Sequence, residues 1–256
     1  MLALSYIKHL VQANTLHGTH SPFVYSFLEN VVYEKKTNPD FLKIEALRKE
    51  LLHRNTKIEI NDFGAGSRIH KNNKRSISSI ARISVKPKKY CELLYRICQW
   101  HQTENVLELG TSLGISTAYL SLAAKNVISI EGCKNIASIA RENFKYLNLS
   151  NIELINDTFD NCLNTELEKI KGKKNIYYVD GNHKKEATIS YFESIIKNAT
   201  EHDILIFDDI HWSKAMEEAW DYICKQHKAV VTIDLFQLGI VFLHKKQAKE
   251  NFKIRF

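Results

Sequence analysis

Four acidic side chains stand where a chain that alternates strands with helices would place its chemistry. Glu131 closes the run VISIE, Asp180 closes YYVD, and the neighbours Asp208 and Asp209 close LIFDD. A carboxylate at the end of a parallel strand faces the edge at which open α/β sheets bind their ligands. The spacing separates two tasks. Glu131 follows the glycines of residues 108–114, ELGTSLG, by about 20 positions, a distance at which an acid can accept hydrogen bonds from both hydroxyls of a ribose. Asp180, Asp208 and Asp209 are expected to converge on one edge, where three carboxylates repel one another unless a cation or hydrogen-bond donors neutralise them. Ligation by oxygen alone favours a hard ion such as magnesium, calcium or manganese. His183 and His211 stand beside these acids, each open to a role as ligand, base or structural donor.

The turn at residues 108–114 is the other candidate. Gly110 permits close approach of the backbone to a ligand, and a helix beginning near Ile115 would aim free N–H groups at the carboxylate of a bound amino-acid moiety, whose ammonium Glu108 can answer. Thr111, Ser112 and Gly114 complete the turn. Ser112 occupies the place of the middle glycine in the G-x-G-x-x-G fingerprint, which argues against a dinucleotide cofactor. Asp157, after the run IELI, has two readings of equal weight: acceptor for an adenine amino group, or cap of the following helix. A rival turn, DFGAGS at residues 62–67, also follows a strand candidate. It is rejected because RIHKNNKR beyond it lacks the periodicity of a packed helix. That stretch reads as a mobile loop, and Arg68, Lys71, Lys74 and Arg75 would let it close over a site and touch an anionic substrate.

The elements that must hold these residues follow from the pattern. NVLEL, VISI, IELI, NIYYVD and DILIFDD alternate with helix-like segments, which implies right-handed βαβ units and a parallel sheet. AVVTIDLF and LGIVFLHK are joined too tightly around Gln237 for a crossover, so they should pair as an antiparallel hairpin. Ahead of them residues 1–55 read as helices, with Ser21 and Pro22 as an N-cap and first-turn pair and Asn38-Pro39 before a second run. A helix from Ile77 should break at Pro87 and resume through YCELLYRICQW.

The 256 residues, 44% hydrophobic and 25% charged, suit a globular protein with one substantial core. No apolar run reaches the ~18 residues of a membrane helix, and Lys8 and His9 interrupt the only stretch that resembles a signal peptide, so a cytoplasmic protein with no membrane partner is expected. Five cysteines without a CxxC pair point neither to a disulfide framework nor to zinc. The charge of +7 comes from lysines spread along the chain, which favours solvated faces over a nucleic-acid partner.

The motifs together resemble a known family. ISVKPKKYCELLYRI, LELGTSLGIST, the acid of SIEGC, VDGNH and FDDIHW are similar to those of the cation-dependent catechol and caffeoyl-CoA type O-methyltransferases, and closer still to a bacterial branch of the class I methyltransferases. The likeness runs from about Ser84 to His244. It implies a Rossmann-like seven-stranded sheet ending in the antiparallel hairpin, over residues 84–256, behind a helical N-terminal extension with a basic loop over residues 1–83. It also implies S-adenosylmethionine as cofactor, with Ser84 joining the residues of the glycine turn, Glu131 and Asp157 in binding it. Asp180, Asp208 and Asp209 would form the metal site. Two positions depart from the plant and animal pattern: His183 replaces a lysine thought to act as base, and Asp208-Asp209 replaces an Asp-Asn pair. An imidazole, with an ordinary pKa near 6.5, is the better proton acceptor at neutral pH. The expected reaction is in-line transfer of a methyl group to a small-molecule hydroxyl, with His183 and Asp180 as catalytic residues and Trp212 either against the acceptor or in the core. A metal-free N-methyltransferase, a non-catalytic cofactor-binding module and a nucleic-acid methyltransferase are the alternatives. The N-P-P-Y-like motif of many of the last group is absent. A homodimer is compatible with the resemblance, while the acceptor would be recognised by segments whose sequence is the least diagnostic.

Overall fold

Residues 2–35, 37–61 and 74–256 are described by a computed structural model. DFGAGS and the basic stretch up to residue 73 lie outside them. Along the chain run α1 (Leu2–Gln12), α2 (Pro22–Phe27), α3 (Phe41–His53), β1 (Lys57–Glu59), β2 (Lys74–Ser76), α4 (Ile77–Ser84), α5 (Lys88–His101) and β3 (Asn105–Leu109). There follow α6 (Ile115–Ser121), β4 (Asn126–Ile130), α7 (Lys134–Tyr146), β5 (Ile152–Ile155), α8 (Phe159–Ile170), β6 (Asn175–Val179) and α9 (Lys185–Asn198). The chain ends with β7 (Ile204–Asp208), α10 (Lys214–Lys225), β8 (Val231–Asp234), β9 (Leu238–Phe242) and β10 (Glu250–Lys253). Its residues divide into two compact units, Lys35–Glu166 and Met1–Glu34 with Leu167–Phe256.

In the unit Lys35–Glu166, β3, β4 and β5 are parallel, with Leu107 opposite Ile128 and Ile128 opposite Glu153. Every residue of β3 is buried, the near-continuous apolar signature of a strand covered on both faces. Much of the expected extension packs here. Phe41, Ile44, Leu47 and Leu51 of α3 share one core with Ile77 and Ile80 of α4 and with Ala118 and Tyr119 of α6. A polar seam fixes their register: the Tyr119 hydroxyl donates to Glu45 at 2.9 Å, Arg48 pairs with the same carboxylate, and Arg48 also donates to the Lys86 carbonyl at 2.6 Å. α3 and α4 thus share a compact unit with the glycine turn. The stretch RIHKNNKRS ends in structure too: Lys74–Ser76, expected as loop, is β2, antiparallel to β1. Backbone pairing outweighs the polar character of those three residues.

In the other unit β6 and β7 are parallel, and β9 runs antiparallel to both β7 and β8. This is the expected hairpin, turned at residues 235–238, where the Leu235 amide donates to the Leu238 carbonyl at 2.8 Å and Phe236 takes φ 70°. Trp220 of α10 lies so close over Gly239 that a Cβ there would sit 2.5 Å from its ring. An eighth strand goes beyond the seven expected: β10 pairs parallel with β8. The N-terminus closes on it, since the Asn14 amide donates to the Lys253 carbonyl at 2.8 Å. Ser21 caps α2 as read from the sequence. Among the described residues no helix is long and apolar enough to cross a membrane.

Candidate functional site

Between β3 and α6 the backbone takes three positive φ values in five residues: Gly110 at 108°, Ser112 at 49° and Gly114 at 81°. Gly114 is doubly constrained, because a Cβ there would lie 2.5 Å from the Phe144 ring. The turn is tied to the end of β4, with the Gly110 amide donating to the Ile130 carbonyl at 3.0 Å and the Ser112 amide donating to Glu131 Oε2 at 2.9 Å. Glu131 Oε1 accepts from the Cys133 amide, also at 2.9 Å. The half-buried Glu131 carboxylate is therefore held in place by two backbone N–H groups, a low-entropy arrangement for receiving further donors. Beside it the Ser112 Oγ is shielded and has no hydrogen-bond partner. A buried hydroxyl in that state is costly alone and is satisfied by a polar ligand. These two features fit a cofactor carrying ribose.

Glu108 and Thr111 have other duties. Glu108 is fully buried, and its carboxylate accepts from the hydroxyls of Ser116 at 2.7 Å, Thr117 at 2.5 Å and Ser129 at 2.6 Å. Thr111 Oγ1 bonds in turn to Ser129 Oγ. Glu108 thus stitches β3 to α6 and β4, and its oxygens are engaged by the protein rather than presented to an ammonium group. Burial pushes its carboxyl up to about 7, against the opposing pull of the three hydroxyls. Because the folded value lies above the unfolded one, the folded chain retains a proton that the unfolded chain has lost between pH ~4.5 and ~7. Stability conferred by that proton is present at acid pH and declines as pH rises through this window, by about 3 kcal/mol at ~1.4 kcal/mol per unit. Urea unfolding at pH 5 and pH 8 is expected to show this decline in the wild-type chain and its loss in Glu108→Gln; parallel pH profiles would contradict the assignment.

The acids of the other unit are brought together in part. Asp180, one residue past β6, His183, and Asp208 at the end of β7 place one ligating atom each within 4.8 Å of the others. Asn182, at φ 51°, turns the chain so that His183 Nε2 returns to 3.9 Å from Asp180 Oδ1, and the Tyr178 hydroxyl donates to Asp180 Oδ2 at 2.7 Å. Asp208 is buried, Asp180 and His183 half-buried. Asp209 does not join this group; it takes φ 52°, and its amide donates to the Gln237 carbonyl at 2.7 Å. The two carboxylates suit a hard divalent cation such as magnesium or manganese, and the imidazole beside them is placed to serve as a further ligand or as a base.

Comparison with known proteins bears on the middle of the chain. Residues 107–210, which run from β3 past β7, match the family model described as a methyltransferase domain. The fold is shared with the O-methyltransferase of Bacillus cereus in complex with SAH, at TM-score 0.54 and 15% identity over 86% of this chain and 96% of that one. Residues 107–210 are thus similar to a methyltransferase domain. A putative caffeoyl-CoA O-methyltransferase from Staphylococcus aureus is likewise similar, at TM-score 0.55 and 14% identity over 79% of this chain and 99% of that one. A stretch of 50 residues is 42% identical to protein-L-isoaspartate O-methyltransferase 2 of Rhodopseudomonas palustris (strain HaA2), and 58 residues are 40% identical to the corresponding enzyme of Nitrobacter winogradskyi. The matched stretches span 23% and 27% of those two relatives and 20% and 22% of this chain.

The remaining candidates take modest positions. Asp157 Oδ1 accepts from the Thr158 amide at 2.7 Å and from Asn161 Nδ2 at 2.8 Å, the bonding of a residue that ties down the start of α8. Ser84 is the exposed last residue of α4. Trp212 is 44% exposed and so does not belong to the core. His211 parts from the Asp180 group and bonds to Asp234 and Glu217. The sequence reading overlooked Ser116, Thr117 and Ser129, although two hydroxyls one turn beyond the glycines were a usable signal. It also overlooked His9 and Asp234, for which no local signal exists.

Proposed function

We propose that the chain is an S-adenosylmethionine-dependent O-methyltransferase acting on a small hydroxyl-bearing molecule with the help of a divalent cation. The grouping of Asp180, His183 and Asp208 carries this reading, because a carboxylate pair beside an imidazole suits activation of oxygen and is superfluous for an amine nucleophile. Glu131 accepts the ribose hydroxyls, Ser112 Oγ gives the cofactor a further polar contact, and the turn through Gly110 and Gly114 lets it approach the backbone. When bound, the cofactor supplies an electrophilic methyl group and the cation supplies positive charge to an acceptor oxygen. Asp180 and Asp208 hold the cation. His183 accepts the acceptor proton at its imidazole, with Asp180 keeping the ring oriented. Alignment of the acceptor and exclusion of water account for the rest of the rate. Support comes from the methyltransferase domain over residues 107–210 and from a fold shared with O-methyltransferases.

Calorimetric titration of the full chain with S-adenosylhomocysteine should give one site of about micromolar affinity. A methyl-transfer screen over phenols, sugars and acidic metabolites should then find an oxygen acceptor whose turnover stops on chelation and returns with magnesium or manganese. Absence of S-adenosylhomocysteine binding would overturn the cofactor reading. Turnover of an amine that survives chelation would replace it with a metal-free N-methyltransferase.

A further inference from the structure

A second cluster of ligating side chains lies apart from the Asp180 group, wholly within the unit that contains both chain termini. His9 of α1, His211 beyond β7, and Asp234 at the end of β8 each offer one ligating atom within 4.8 Å of the others. His9 and Asp234 are buried and His211 half-buried. The three come from positions up to 225 residues apart (234 − 9), so only the fold assembles them.

The hydrogen bonds around the cluster fix which atoms face inward. His9 Nε2 lies 3.2 Å from the Ile254 carbonyl oxygen, which can only accept, so the ring proton sits on Nε2. In the neutral ring Nδ1 is then the nitrogen with the lone pair. That lone pair is buried without a hydrogen-bond partner, 3.5 Å from the acceptor oxygen Asp234 Oδ1. Two acceptors facing each other in a shielded place are unfavourable unless something positive lies between them. His211 presents the complementary arrangement. Its Nδ1 is 3.2 Å from Glu217 Oε1 and its Nε2 is 2.9 Å from Asp234 Oδ2. Without an ion, a proton lies between Nε2 and Asp234, and Nε2 becomes a ligand by releasing it.

The geometry points to a second metal site, formed by His9 Nδ1, His211 Nε2 and Asp234, which takes a zinc-like transition-metal ion and fastens α1 to the end of β8. Each imidazole has the outer partner that metal-bound histidines have in general: a backbone carbonyl for His9, a carboxylate for His211. Asp234 is anchored as well, since its Oδ1 accepts from the Phe236 amide at 2.8 Å. Phe236 walls the cluster, stacked on His211 at 5.0 Å and edge-on to His9 at 5.4 Å. Two imidazoles and one carboxylate select zinc, cobalt, nickel or iron over magnesium, which separates this site chemically from the Asp180 group. On binding, the ion takes the two nitrogen lone pairs and a carboxylate oxygen, and any proton on His211 Nε2 leaves to solvent.

The test uses the full chain freed of metal by chelation and titrated with zinc or cobalt(II) in excess magnesium. One equivalent of zinc should bind at micromolar or lower concentration, raise the thermal midpoint by several degrees, and, as cobalt(II), give a visible absorption band of low coordination number. His9→Gln and Asp234→Asn, each checked by circular dichroism, should weaken zinc binding about 100-fold and abolish the midpoint rise, while Asp180→Asn should retain both. Absence of zinc or cobalt binding to the wild-type chain would overturn the site whatever the variants do. So would zinc binding that persists in His9→Gln and disappears in Asp180→Asn. Neither result depends on S-adenosylhomocysteine binding, so failure of this site is distinguishable from failure of the cofactor reading.

Discussion

Glu131→Ala should lower the affinity for S-adenosylhomocysteine by about 100-fold. A carboxylate that accepts from two ribose hydroxyls makes two charge-assisted hydrogen bonds, each worth ~1.5–3 kcal/mol, and loss of ~3 kcal/mol is about two powers of ten in Kd. The variant also loses the anchor that Glu131 gives to the Ser112 and Cys133 amides, so the turn no longer presents its donors in a fixed geometry. Folding stability should fall far less, by about 1 kcal/mol, because the site is half-buried and water can replace the lost acceptor. Glu131→Gln, which keeps one carbonyl oxygen and no charge, should lie between, near 10-fold. Calorimetry at constant pH and ionic strength measures all three. Equal affinity in the wild-type and alanine chains would remove Glu131 from the cofactor site.

The glycine turn was legible because its demands are local. Positive φ at Gly110 and Gly114 and a buried strand before them leave a mark within ten residues. The runs that became β3 to β9 were legible for a similar reason, since each is a short apolar segment and the tight link around Gln237 excludes a crossover. What escaped notice depends on distant partners. ENFK is polar and becomes β10 only by pairing with β8, and Lys74–Ser76 becomes β2 only by pairing with β1. The hydroxyl shell of Glu108 was not legible either, because Ser129, on the neighbouring strand, takes one of its oxygens. Asp208 and Asp209 look equivalent in sequence, yet the backbone turns at Asp209, and Asp208 is gathered with Asp180 and His183 without it. His9 read as an interruption of an apolar helix. Its bond to Ile254, 245 residues away, gives that interruption a purpose that no window of sequence contains.

Asp208→Asn should separate stability from activity. Asp208 is buried, with a ligating oxygen within 4.8 Å of one from Asp180, and two carboxylates held that close oppose each other when no cation is bound. Replacing one by an isosteric amide relieves that repulsion, so without divalent ions the variant should melt no lower than the wild-type chain, and by up to a few degrees higher. The cation gains less from a neutral ligand. Stabilisation by added manganese or magnesium should therefore be lost, and turnover should fall about 100-fold or more. S-adenosylhomocysteine affinity should stay within about 3-fold, because Glu131 and the turn at Gly110 follow other strands, β4 and β3. His183→Ala probes the same group from its other side. It should reduce kcat by the ~10²–10⁴ that a general base contributes, without changing cofactor affinity. Thermal melts with and without cation, paired with steady-state rates, read both effects. If Asp208→Asn melts lower without cation yet keeps its turnover, the carboxylate is structural and the Asp180 group is not where the acceptor is activated.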